Sequence, residues 1–118
     1  MNIEYWLSSS GRNYVGVFLS GIPAKSRKKI DRSLDRLKRY GILPLLQSRE
    51  AAKLHGYDMY ELIVDFGKMF YRIFFIVRAG ACYMLHGFMK KTNNTPQREI
   101  ETALGRAEEV DAYLAIRV

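Results

Sequence analysis

Arg72, His86, Lys90 and Lys91 crowd into one stretch, Met69 to Pro96, made of two nearly unbroken apolar runs separated by Arg78-Ala79-Gly80-Ala81. A guanidinium among apolar neighbours is costly unless it is paired. Arg72 therefore requires either an internal carboxylate, with Glu61 and Asp65 on the preceding strand as candidates, or an external anion. Cleaving RNA through its own 2′-hydroxyl without a metal asks for three groups. One helps deprotonate that hydroxyl, one stabilises charge on the phosphate, and one protonates the departing 5′-oxygen. The planar donor fork of arginine suits the second role. Histidine, lysine or tyrosine suits the others when its surroundings shift its pKa; Tyr71 and Tyr83 share the hairpin, and Tyr57 and Tyr60 precede it. Each of these residues also has a purely structural reading. His86, between Leu85 and Gly87, could be a hydrogen-bonded core histidine, the lysines ordinary members of a polar loop, and the tyrosines half-buried strand residues.

The elements that must position these groups follow from periodicity. Ile3 to Leu7 suits a short strand, and Tyr14 to Leu19 a helical turn ending before Gly21. Pro23 fits the first turn of a helix in which Ile30, Leu34 and Leu37 form one apolar stripe. Gly41 ends it, Leu43-Pro44 breaks the chain, and Leu45 to Leu54 reads as a connection. Tyr60, Leu62, Val64 and Phe66 then alternate with Met59, Glu61, Ile63 and Asp65, the period-two pattern of a strand. Phe66-Gly67-Lys68 reads as a hairpin turn. Met69 to Val77 and Cys82 to Met89 supply two strands apolar on both faces, as in the middle of a sheet covered by helices. Asn93-Asn94 reads as a turn, and Thr95-Pro96 opens a helix striped by Ile100, Ala103, Leu104, Ala107, Val110 and Leu114. The expectation is an α+β fold: N-terminal helices packed on a three- to four-stranded antiparallel sheet, with a C-terminal helix.

The chain has 118 residues, enough for one domain (1–118) with one modest core. Its longest uncharged stretches, Asn13 to Ala24 and Ala79 to Met89, fall short of the ~18 residues that span a bilayer. The opening MNIEYWLSSSGR has no basic region followed by an apolar one, so it does not read as a secretory leader. Cys82 is the only cysteine and excludes an internal disulfide; with two separated histidines it also argues against a zinc site. A reducing cytoplasm is the expected home. The net charge of +7 is concentrated: Lys25, Arg27, Lys28, Lys29, Arg32, Arg36, Lys38 and Arg39 face only Asp31 and Asp35 in that helix. Such a field attracts polyanions, and the same run equally suits a well-solvated helix face. The helix has no bulky aromatic face opposite its lysines, which favours nucleic acid over membrane.

The ordered blocks LKRYG, KLHGYDMYEL, FYRIFF, LHGFMKKTNNTP and REIETALGR resemble the RelE/HigB-like toxins of bacterial and phage type II toxin–antitoxin pairs, closest to the phage-derived HigB-like branch. The likeness runs from about Tyr14 to Tyr113. It implies a small RelE-like α+β fold and a metal-independent endoribonuclease, without cofactor, that cuts messenger RNA in the ribosomal decoding site and so inhibits translation. Carried across by position, Arg72 would contact the scissile phosphate, Lys90 and Lys91 would hold phosphates or supply protons, and His86 would be an acid–base candidate. Lys25, Lys28, Lys29, Arg32 and Arg36 would bind ribosomal RNA, with Tyr57, Tyr60 and Tyr71 as aromatic contacts. The implied partners are the ribosome, messenger RNA and a helix-turn-helix, HigA-like antitoxin, through which promoter DNA would be bound.

Two positions depart from that pattern. Ile63 stands where the family usually has an arginine, and Phe75 where tyrosine is frequent. The first removes a phosphate contact and the second a possible proton donor. Two relatives of the same fold define the alternatives: a ParE-like inhibitor of DNA gyrase, and an inactive member that only binds its antitoxin or nucleic acid.

Overall fold

The computed structural model describes residues 1–92 and 94–116; Asn93, half of the expected turn, lies outside them. The chain runs β1 (Asn2–Tyr5), α1 (Tyr14–Ser20), α2 (Ala24–Tyr40), α3 (Ile42–Ser48), β2 (Ala51–Lys53), β3 (Tyr60–Phe66), β4 (Met69–Arg78), β5 (Ala81–Lys90) and α4 (Gln97–Ile116). Asn13 caps α1 through its side chain, which accepts from Gly16 N. Gly41, at φ 78°, joins α2 to α3 in a backbone conformation that a side chain would strain. Pro44 does not break the chain as expected. It sits in the first turn of α3, where its missing N–H costs nothing.

The sheet has five strands in the order β1-β5-β4-β3-β2, and β1 runs parallel to β5 while the other pairs are antiparallel. This corrects the expected three- to four-stranded antiparallel sheet. β1 overlaps the short strand expected at Ile3 to Leu7 but joins in parallel through a partner some eighty positions away, whereas β2, three residues within the expected connection, is too short for alternation to mark. Between β4 and β5 the turn passes through Ala79 and Gly80, both at positive φ (50° and 77°), the geometry that closes a two-residue hairpin.

Helices cover both faces of the sheet. Leu62, Val64, Tyr71, Ile73, Phe75, Cys82 and Met84 pack under Val15, Leu19, Ile30, Leu34, Leu37 and Leu45 of α1 to α3. Phe74, Ile76, Leu85 and Phe88 pack with Met59 under Ala103, Ala107 and Val110 of α4. β5 serves both faces because of one irregularity. Phe74 pairs with His86 but Phe75 pairs with Met84, so Leu85 is an extra residue. The bulge reverses the alternation beyond it and turns His86, Phe88 and Lys90 to the α4 side. Behind them, Gly87 lets α1 approach: a Cβ there would run into the Phe18 ring. Among the described residues, no helix is long and apolar enough to cross a membrane.

Candidate functional site

The register of β3, β4 and β5 sets nine side chains in three cross-strand rows on the α4 side. The rows are Asp65–Phe70–Lys90, Ile63–Arg72–Phe88 and Glu61–Phe74–His86. Arg72 is at the centre. Strands lie about 4.8 Å apart and diagonal neighbours ~7–8 Å, so every corner is within reach of a long side chain at the centre. α4 covers the Phe74–His86 end and Phe88, leaving Ile63, Asp65 and Phe70 partly or fully open.

Arg72 is 3% exposed. Its Nη1 donates to Asp65 Oδ1 at 2.8 Å and to the Tyr71 carbonyl at 2.9 Å, and the guanidinium lies 5.7 Å from the Phe70 ring centroid. Of the two carboxylates that the sequence offered, Asp65 is the ion-pair partner. That side chain is itself 49% exposed, so the pair couples a buried cation to a solvated anion.

Lys90 spans the exit from β5. Its ammonium bonds the Asn94 carbonyl and the Thr95 hydroxyl and lies 5.6 Å from the Phe88 ring. Burial lowers its pKa, and the nearby charge of Arg72 lowers it further, against Glu61, Asp65 and Glu99. Lys91 is exposed on the following bend.

His86 is engaged on both ring nitrogens by α4. Nε2 is 3.1 Å from Glu99 Oε1, and Arg106 Nη1 is 3.1 Å from Nδ1 while also donating to the Leu85 carbonyl. Arginine only donates, so Nδ1 accepts and the ring proton sits on Nε2, aimed at Glu99. Burial holds the His86 pKa below its ordinary value, despite Glu99. The ring is thus a neutral strut between β5 and α4. Arg106 is fixed in turn by stacking on Tyr14, its guanidinium 3.4 Å from the ring centroid.

Glu61 is the residue that sequence reasoning passed over as a mere partner for Arg72. Nothing among the described residues donates to its buried Oε2. Burial raises its pKa, while Arg72 and Lys90 pull it down. The only signal in the sequence was a carboxylate on the same strand face as Ile63 and Asp65.

The tyrosines separate from this face. Tyr71, 2% exposed, donates its hydroxyl to Ser26 under α2, and Tyr60 stacks on Phe75, both on the opposite side of the sheet from Arg72. Alternation explains it: residues 60 and 71 have the other parity from 61 and 72. Tyr60 and Tyr71, expected as aromatic contacts, thus lie apart from the Arg72 face. Phe75 shares that hidden side, so a hydroxyl there would point away from Arg72. Tyr57 stays on the α4 side, half-buried, its hydroxyl accepting from Gln97.

The cations of α2 divide in two groups. Arg27 pairs with Asp31, Arg39 with Asp35, and Arg36 with Glu50. Lys25, Lys28, Lys29 and Arg32 recur at helical spacing and line a cleft of about 270 Å³ with the exposed Phe66. Lys29 and Arg32 continue into a second cleft of about 410 Å³, shared with Arg36, Arg49, Ile63 and Asp65. There the β3 edge is uncovered, because β2 pairs only with residues 60–62, and Lys29 bonds the Asp65 carbonyl. The basic stripe thus leads along the β3 edge to the rim of the Arg72 face.

The family model described as phage-derived protein Gp49-like matches residues 17–108, a span that holds the basic helix and all three strands of this face. The chain belongs to the Gp49-like family. That is a family of RelE-like, toxin-type proteins, so an antitoxin partner is implied in general terms. No curated protein matches this Gp49-like chain significantly.

Proposed function

We propose that this Gp49-like protein, of the HigB-like branch, is the toxin of a type II toxin–antitoxin pair and cuts ribosome-bound messenger RNA in the cytoplasm. The support for the reading is the placement of Arg72 and Lys90 in neighbouring rows of one partly open sheet face that a basic stripe approaches. In this mechanism the scissile phosphate takes over the guanidinium of Arg72 from Asp65, an exchange that the half-exposed carboxylate permits. Arg72 then stabilises the charge that builds on the phosphoryl oxygens. Lys90, its pKa lowered, gives a proton to the departing 5′-oxygen. Lys91 neutralises a neighbouring phosphate. Lys25, Lys28, Lys29 and Arg32 hold ribosomal RNA backbone, with Arg36 contributing less because Glu50 occupies it. His86 acts through α4 as a positioning residue. A helix-turn-helix, HigA-like antitoxin is the proposed partner.

One observation favours a second reading, binding without cleavage: Arg72 is already held by an internal carboxylate, and Ile63 supplies no second cation beside it. Mapping cuts in a reporter transcript in a purified translation system decides between them. Cuts in phase with codons that require ribosomes support the toxin reading. A folded protein that leaves the transcript intact supports binding alone.

A further inference from the structure

A buried carboxylate oxygen without a donor is expensive. Asp65 is met by Arg72, Glu50 by Arg36, Glu99 by His86 and Asp111 by Arg78, whereas Glu61 Oε2 is buried with no partner among the described residues. A native protein keeps few such groups, and they gather where chemistry is done. Position gives this one a meaning. In the three rows, Glu61 and Lys90 occupy diagonally opposite corners with Arg72 between them. Displacement at phosphorus is in line, so the groups serving the attacking and leaving oxygens belong on opposite sides of the phosphate.

Resting on the proposed cleavage, we infer that Glu61 is its general base, a catalytic residue facing Lys90 across the phosphate that Arg72 holds. The Glu61 carboxylate accepts the proton of the 2′-hydroxyl as that O–H bond breaks. The freed oxygen pair forms the bond to phosphorus, and the bond from phosphorus to the 5′-oxygen breaks. The 5′-oxygen takes a proton from the Lys90 ammonium. The products are a 2′,3′-cyclic phosphate and a 5′-hydroxyl, and solvent returns the proton from Glu61 to Lys90. The last torsion of a glutamate is broad and its two oxygens are equivalent, so either can accept the proton. The surroundings favour proton transfer, since burial raises the Glu61 pKa toward the range where a carboxylate accepts protons well.

The deciding experiment is the single-turnover cutting rate on ribosome complexes, followed as pH falls, for wild type, E61Q and E61D. The groups around Glu61 are Arg72 on β4, Lys90 and His86 on β5, Asp65 on its own strand and Glu99 on α4. The wild-type rate is expected to fall toward acid as Glu61 protonates. E61Q is expected to cut about 100-fold more slowly and to lose that acid limb, while E61D keeps the limb at a reduced rate. His86 also titrates on the acid side, so H86N must retain the limb. E61Q removes an unpaired charge and is expected to unfold no sooner than wild type on heating, which a bracing role would not allow. A wild type that cuts while E61Q or E61D cuts as fast overturns this inference alone. A wild type that never cuts overturns the cleavage reading together with it.

Discussion

Two sets of cations in this protein follow opposite rules. On α2, Lys25, Lys28, Lys29 and Arg32 are exposed at helical spacing beside open clefts. On the sheet, Arg72 is almost wholly buried, its charge is balanced by Asp65, and the neighbouring Lys90 is tied to the loop after β5. Exposed lysines in water give long-range attraction that salt screens. A buried guanidinium gives little attraction at a distance, but acts strongly where water is excluded. In the proposed function, this difference gives capture to the helix and chemistry to the sheet.

The largest effect that sharpens this division is at its centre. Arg72→Ala is expected to slow cutting by about 10²–10³-fold, roughly the loss from removing one preorganised donor, measured at saturating protein. The fold should survive, because Asp65 is half-exposed and regains water, and circular dichroism checks that. A second change perturbs the sheet from behind without touching a charge. Gly87→Ala drives a methyl group into the Phe18 ring and is expected to cost about 1–3 kcal/mol of stability in urea unfolding, as overpacking does. Equal stability would mean that α1 yields freely, and that the rows are not firmly held from behind.

On the helix, the combined change Lys28→Ala and Arg32→Ala is expected to weaken ribosome binding and lower its salt slope by about one unit per lost phosphate contact. An unchanged slope would remove α2 from the RNA interface. The smallest effect concerns His86. Its folded pKa lies below the unfolded value of about 6.5, so below that pH the unfolded chain binds the extra proton first. Stability contributed by the neutral ring is therefore present above that value and lost as pH falls toward the folded pKa. His86→Asn should flatten this part of the stability–pH curve. A curve unchanged by the substitution would contradict the strut between β5 and α4.

Much of the fold was legible because its signals are local. The apolar stripes of α2 and α4 and the alternation of β3 each depend on neighbours in sequence. The strand at Ile3 to Leu7 was legible, but its place at the sheet edge was not, since β1 finds β5 only after folding. At the candidate site, residue types singled out Arg72 and Lys90 as candidates, and parity alone could separate Tyr60 and Tyr71 from them. The bulge at Leu85 could not be read, and it is what turns His86, Phe88 and Lys90 to the Arg72 side. Nor could Glu61 be singled out, because an unpaired carboxylate is a property of three-dimensional neighbours.

The division between capture and chemistry is tested most directly by primer-extension mapping on purified ribosomes, with the cutting rate measured against protein concentration. Wild type, Arg72→Ala and the Lys28/Arg32 double alanine variant would be compared. Wild type is expected to make codon-phased, ribosome-dependent cuts. Arg72→Ala should lose the maximal rate and keep its binding, while the helix variant keeps the maximal rate and needs more protein to reach half of it. A maximal rate that falls with the helix variant and survives Arg72→Ala would place the chemistry elsewhere than on the Arg72 face.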